Sequence, residues 1–122
     1  MKIYLVGNPL VKEDSLPFKL LPKLRKEFPS MVFEEADPNE NFIPEDSSII
    51  VDTVVGLDAP QVFTSLEQFQ QVRSVTTHDF DLLLHLQLLT KLQKLERVKI
   101  IGIPAMEGKK VFRSFCQLLK SI

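Results

Sequence analysis

Apolar residues along the chain fall into two patterns: short unbroken runs, and longer stretches with helical spacing. Ile3-Tyr4-Leu5-Val6 is such a run and predicts a buried strand over 2–6. Farther on, Phe18, Leu21, Leu24 and Phe28 recur three or four apart, with Lys19, Lys23, Arg25 and Lys26 between them, which predicts an amphipathic helix. Ser15 is suited to cap it and Pro17 is tolerated in its first turn. Pro22 lies inside it and is expected to kink the helix or end its first part. Residues 31–36 predict a second strand, near a sheet edge because Glu34 and Glu35 are consecutive. Residues 37–41 are turn-rich, and 41–44 leave room for at most one helical turn. Ser48-Ile49-Ile50-Val51-Asp52 is the clearest strand. Its β-branched run suits a parallel strand covered on both faces, with Asp52 expected at its carboxyl end.

The second half is read the same way. Val62-Phe63 and Val72 to Val75 predict short strands, and Gly56 to Pro60 a loop that includes Asp58. Residues 80–95 predict a long helix so rich in leucine that its first half has little polar surface; it is either buried or covered by a partner. Val98 to Pro104 predicts a last strand. Glu107 to Lys120 predicts a final helix with Val111, Phe112, Phe115, Leu118 and Leu119 turned inward. Strands alternating with helices imply an α/β fold, a three-layer α/β/α sandwich with a mostly parallel central sheet of about five strands. With no repeat or linker, 1–122 reads as a single domain.

Composition narrows the class. At 44% hydrophobic and 25% charged, the chain resembles an ordinary globular protein. A formal net charge of -1 gives no footprint for nucleic acid or an anionic membrane. No apolar run approaches a membrane span or a signal-peptide core, so a cytoplasmic monomer is expected. The single cysteine, Cys116, excludes an internal disulfide, and among Phe112, Phe115 and Leu119 it is expected to be a buried, inert thiol.

The candidate chemistry lies in loops and strand ends. Gly7 to Asp14 follows the first strand and carries two adjacent carboxylates, Glu13 and Asp14, to the start of a helix. Asp52 is expected to end the central strand, and His78 to open the long helix after the fourth strand region. In a parallel sheet, connections leave from the carboxyl ends, where ligands of open α/β sheets sit. Asp14, Asp52 and His78 are therefore expected to meet at one rim. Two carboxylates and an imidazole suit a divalent cation such as zinc or nickel and leave coordination positions open. Such an ion can activate a water or polarise a carbonyl. Spacing alone leaves a second reading, in which these residues are helix caps and turn formers. His85 lies seven residues beyond His78, about 10 Å along a helix, too far to share one ion.

Four blocks, Gly7-Asn8-Pro9-Leu10 with Glu13-Asp14, Val51-Asp52-Thr53-Val54-Val55-Gly56, Thr76-Thr77-His78-Asp79-Phe80 and Ile100-Ile101-Gly102-Ile103-Pro104, together resemble the hydrogenase maturation endopeptidases and come in that family's order. The resemblance implies an enzyme that removes the C-terminal extension of a nickel–iron hydrogenase large-subunit precursor after nickel insertion. It implies a metal held by Asp14, Asp52 and His78, nickel carried by the substrate, for which zinc or cadmium can stand in. Asp14, Asp52 and Glu13 then form the catalytic group, with Glu13 orienting water or moving a proton. Lys12, Ser15 and Pro17 depart from the family, standing where glycines are common, so the first loop is expected to be stiffer or differently shaped. Two rivals remain. One is a phosphoacceptor receiver-like module using Glu13-Asp14, Asp52 and Thr76 or Thr77, although Gly102-Ile103-Pro104 lacks the lysine such modules carry at the end of their last strand. The other is a family member that binds metal or precursor without cutting.

Overall fold

The computed structural model describes residues 2–7, 16–37, 43–45, 47–54, 57–65, 67–69, 86–91, 99–104 and 109–122. Three apolar runs form the inner strands of one sheet: β1 (Lys2–Val6), β3 (Ile49–Val54) and, late in the chain, Lys99–Pro104. The edges are β2 (Val32–Ala36) and β4 (Gln61–Phe63); the late strand is therefore β5. The order is β2-β1-β3-β5-β4. Four strands run parallel, and only β4 is antiparallel to its neighbour. Two long helices cover one face: α1 (Leu16–Glu27) and α2 (Lys109–Ser121).

Side-chain alternation splits the core in two. Ile3, Leu5, Ile49, Val51, Ile101 and Ile103 point to the helical layer, where Leu21 and Leu24 of α1 and Phe115, Cys116 and Leu119 of α2 meet them. Tyr4, Val6, Ile50, Val54 and Ile100 point the other way, against Phe63, Phe69, Leu86 and Leu89. Residues 86–91 are helical, so helix covers both faces of the sheet. The expected three-layer sandwich is the one observed. At roughly 1.5–3 kcal/mol for each large apolar side chain buried, these two clusters are the main stabilising term.

The helical layer is tied together at its surface. Lys23 Nζ lies 5.7 Å from the centre of the Phe112 ring, and Lys120 Nζ is 3.9 Å from Glu27. Pro22 does not end α1, which is continuous from Leu16 to Glu27. The proline ring itself is exposed, and the turn continues although Pro22 offers no N–H to the carbonyl four residues back.

Two devices secure the β2 edge. Gly7 N–H donates to the Ala36 carbonyl at 3.3 Å, so the Ala36 carbonyl points to β1 and, by alternation, that of Phe33 points outward. Arg25 reaches from α1 to that outward carbonyl, 3.2 Å from Nη2, and occupies an acceptor that another strand would need. At the amino-terminal end, Lys2 Nζ bridges Glu34 at 3.2 Å and Glu45 at 3.3 Å and lies over the Tyr4 ring. The Glu34 hydrogen bond, followed by that of Glu45, holds the Lys2 ammonium well above its usual range.

The chain goes out to β2 through α1 and returns to β3 across the opposite face, where Glu45 N–H donates to Tyr4 Oη at 3.3 Å. Leaving on one face and returning on the other is what a consistent crossover hand requires. The return contains no helix among its described residues. It holds a turn in which Ser47 is left-handed (φ 64°) and Ser48 donates both N–H and hydroxyl to the Glu45 carbonyl. After β4, Ser65 Oγ accepts from Gln68 N–H while Gln68 Oε1 accepts from Thr64, a reciprocal cap that starts a helical turn. That turn brings Phe69 edge-on to Phe63, ring centres 5.6 Å apart.

Cys116 is buried, as expected, and burial pushes its thiol above the ordinary 9.0, with Glu27 adding to the rise. A raised pKa favours the folded state while the thiol is protonated in both states; that advantage is lost as pH rises past the unfolded value toward the folded one. Native protein at pH 8 should therefore resist an aromatic disulfide reagent and react fully after unfolding. Stability should decline above about pH 9, and this part of the decline should vanish in Cys116→Ala. Rapid native labelling would contradict the burial.

Candidate active site at the carboxyl rim of the sheet

β1 is the point from which the sheet grows both ways: the chain after it builds β2 on one side, and β3 then opens the other. In open α/β sheets the crevice at such a switch, outside the carboxyl ends, receives the ligand. The connection of residues 7–15 leaves β1 at this rim. Because α1 ends beside the amino-terminal start of β2, its first turn lies back at the rim, so both flanks of the loop carrying Glu13 and Asp14 are there.

Asp52 is the described member of the expected ligand set. It does not end β3: Thr53 and Val54, both β-branched, continue the ladder by pairing with Ile103 and Pro104. Asp52 thus sits about 7 Å inside the strand end. Only 3% exposed, it lies between Ile50 and Val54 on the face opposite α1 and α2. A carboxylate in such an apolar wall costs several kcal/mol unless donors or a cation hold it. Thr53 points to the other face, and its hydroxyl has no hydrogen-bond partner among the described residues.

Gly102 is the residue that motif reading passed over. It pairs with Asp52 in the ladder. A Cβ there would lie 2.9 Å from Val54 Cγ2 and 3.0 Å from both Leu57 Cδ1 and Phe63 Cε2. The missing side chain lets the loop after β3 close over the sheet beside Asp52, with Leu57 N–H returning to the Val54 carbonyl. The available signal was a glycine inside a β-branched run, which marks close approach.

Glu13, Asp14, His78, His85, Thr76, Thr77, Lys12, Ser15 and Asp46 lie outside the described residues, as does the strand expected over 72–75. Asp58 is exposed in a bend at the rim, in keeping with a turn role. Among the described residues no three His, Cys, Asp or Glu side chains gather as a metal cluster, and no helix is long and apolar enough to cross a membrane. The strand-end argument holds after β1 and β3 but not after β4. That strand runs from the level of Gly102 down to Ile100, so the chain leaves it at the opposite end of the sheet. The sixteen residues 70–85 then separate Phe69 from Leu86, ample to recross strands about 20 Å long.

No protein-family model and no curated protein matches the sequence. Solved structures do match in shape. The hydrogenase maturating endopeptidase HybD from E. coli superposes with a TM-score of 0.65 at 14% identity, over 99% of this chain and 89% of that one. The chain has the HybD fold. An uncharacterized protein from Wolinella succinogenes shares it at a TM-score of 0.56 and 14% identity, covering 98% of this chain and 91% of that one. So does an endopeptidase from Escherichia coli at 0.56 and 15%, covering 85% and 74%. The HybD-like order also departs from the receiver-type order 2-1-3-4-5: β5 fills the place beside β3, and β4 is displaced to an antiparallel edge.

Proposed function

We propose that this chain is a metal-dependent endopeptidase that trims the C-terminal extension of a nickel–iron hydrogenase large-subunit precursor, acting as a cytoplasmic monomer. The observation that carries the reading is Asp52: a nearly inaccessible carboxylate set in an apolar wall beside the switch point of a HybD-like sheet. Asp14 would join it from the loop after β1 and His78 from the segment between Phe69 and Leu86. A carboxylate and imidazole donor set fits nickel, and zinc or cadmium in its stead.

In this reading the nickel arrives with the precursor as part of the substrate. Once bound, it polarises the scissile carbonyl or acidifies a water. Asp14, Asp52 and His78 hold the immature subunit so that one peptide bond is fixed at the rim, which raises its effective concentration. Glu13 orients the attacking water and passes its proton to the leaving amine. The loop closed over Gly102 excludes bulk water on the Asp52 side.

The test is incubation of the protein with nickel-loaded and nickel-free precursor, read by intact mass. Shortening of the loaded form alone is expected, and His78→Ala should abolish it. Binding of nickel without shortening would identify a non-cleaving relative. Undiminished cleavage by the His78 variant would remove that residue from the set.

A further inference from the structure

Charge is segregated between the layers. α1 exposes Lys19, Lys23, Arg25 and Lys26. α2, packed beside it, exposes Lys110, Arg113 and Lys120. Glu27 is the one acidic residue in either helix. Among the described side chains this surface thus holds seven basic residues and one acidic one, whereas the rest hold three basic (Lys2, Lys91, Lys99) and seven acidic (Glu34, Glu35, Asp37, Glu45, Asp52, Asp58, Glu67). The near-neutral net charge of the chain thus conceals a face near +6, and the other described residues sum to about -4.

We infer that the outer surface of α1 and α2 is the docking face for the protein substrate and receives an acidic patch on it. This rests on the proposed peptidase reading. Both helices start at the carboxyl rim, α1 after β1 and α2 after β5, so a protein lying along them has one end at that rim, from which the loop after β1 also leaves. Opposed patches of this kind accelerate encounter and fix orientation more than they add affinity. Nucleic acid fits less well. Both helices lie flat on the sheet with their apolar sides buried, so neither can enter a groove, and Phe18 and Phe112 pack against the core. A long polyanion or a membrane plane would also meet the acidic remainder, whereas a bounded patch on a protein need not.

The triple variant Lys26→Glu, Lys110→Glu, Arg113→Glu tests the inference and leaves intact the contacts of Lys23, Arg25 and Lys120. Its neutral counterpart with glutamine at the three positions controls for local packing, and both should unfold near the wild-type temperature. Affinity for nickel-loaded precursor is measured at low and high salt, together with cleavage. The charge-reversed protein should bind about tenfold or more weakly at low salt, with the glutamine protein between, and the difference should shrink as salt screens it. Equal binding and cleavage by all three proteins would overturn the docking face while leaving the peptidase reading standing. Failure of the wild type both to bind and to cleave would overturn both. Tighter binding to a 20-base-pair duplex or to phosphatidylserine vesicles than to precursor, lost in the charge-reversed protein, would reassign the face to those partners.

Discussion

On the proposed reading, in which Asp52 is a nickel ligand, Asp52→Asn should process nickel-loaded precursor more than about a hundredfold slower than the parent, because outer-shell partners of a metal alone cost 10–100-fold and a ligand contributes more. The asparagine keeps the shape and burial of the aspartate, which is 3% exposed between Ile50 and Val54. It should therefore stay folded with the parental far-UV spectrum, since it removes no packing volume. Asp52→Ala, by contrast, adds a small cavity and should lose both activity and some stability. The two variants separate chemistry from folding. Processing at the parental rate by a folded Asp52→Asn protein would exclude the carboxylate from the reaction.

Gly102→Ala should lower stability by about 1–3 kcal/mol, the range for overpacking a filled core. The new methyl would meet Val54 Cγ2 at 2.9 Å and Phe63 Cε2 at 3.0 Å. Neither can retreat easily: Val54 is a fully buried strand residue, and Phe63 is locked edge-on to Phe69. Leu57, in the loop, can yield, and its displacement would open the cover beside Asp52. At roughly 3–6 °C per kcal/mol for a chain of this size, the loss is readable by calorimetry. Processing should fall further than the fraction unfolded accounts for. An alanine variant as stable as the parent would mean the loop approaches less closely than 3.0 Å at Leu57 Cδ1 implies.

The inner strands were legible because burial on both faces demands unbroken apolar runs, and Ile49-Ile50-Val51 is such a run. The β2 edge was legible because Glu34 and Glu35 in succession cannot both be covered. The antiparallel sense of β4 was not, since three residues carry no sign of strand direction. Nor was the role of Gly102, which depends on its register with Asp52 and on where Leu57 returns, neither of them a local property. Of the two outcomes expected at Pro22, ending the helix did not occur: packing of Leu21 and Leu24 on the sheet carries α1 through the proline. Of the proposed site, only the Asp52 position is described, and it proved buried yet two residues short of the strand end.

The place of β5 in the sheet has a consequence for biosynthesis. The strand that separates β3 from β4 comes after both of them in the chain, with α2 behind it. While a ribosome is still translating residues before Lys99, β3 has a bare flank and β4 has nothing to pair with among the described strands. Nascent chains therefore carry open strand edges until β5 emerges, and holding chaperones are expected to bind them during that interval. A translational pause upstream of Lys99 should increase its loss to aggregation, whereas refolding of the 1–122 chain from denaturant, in which β5 is present from the start, should show less of it.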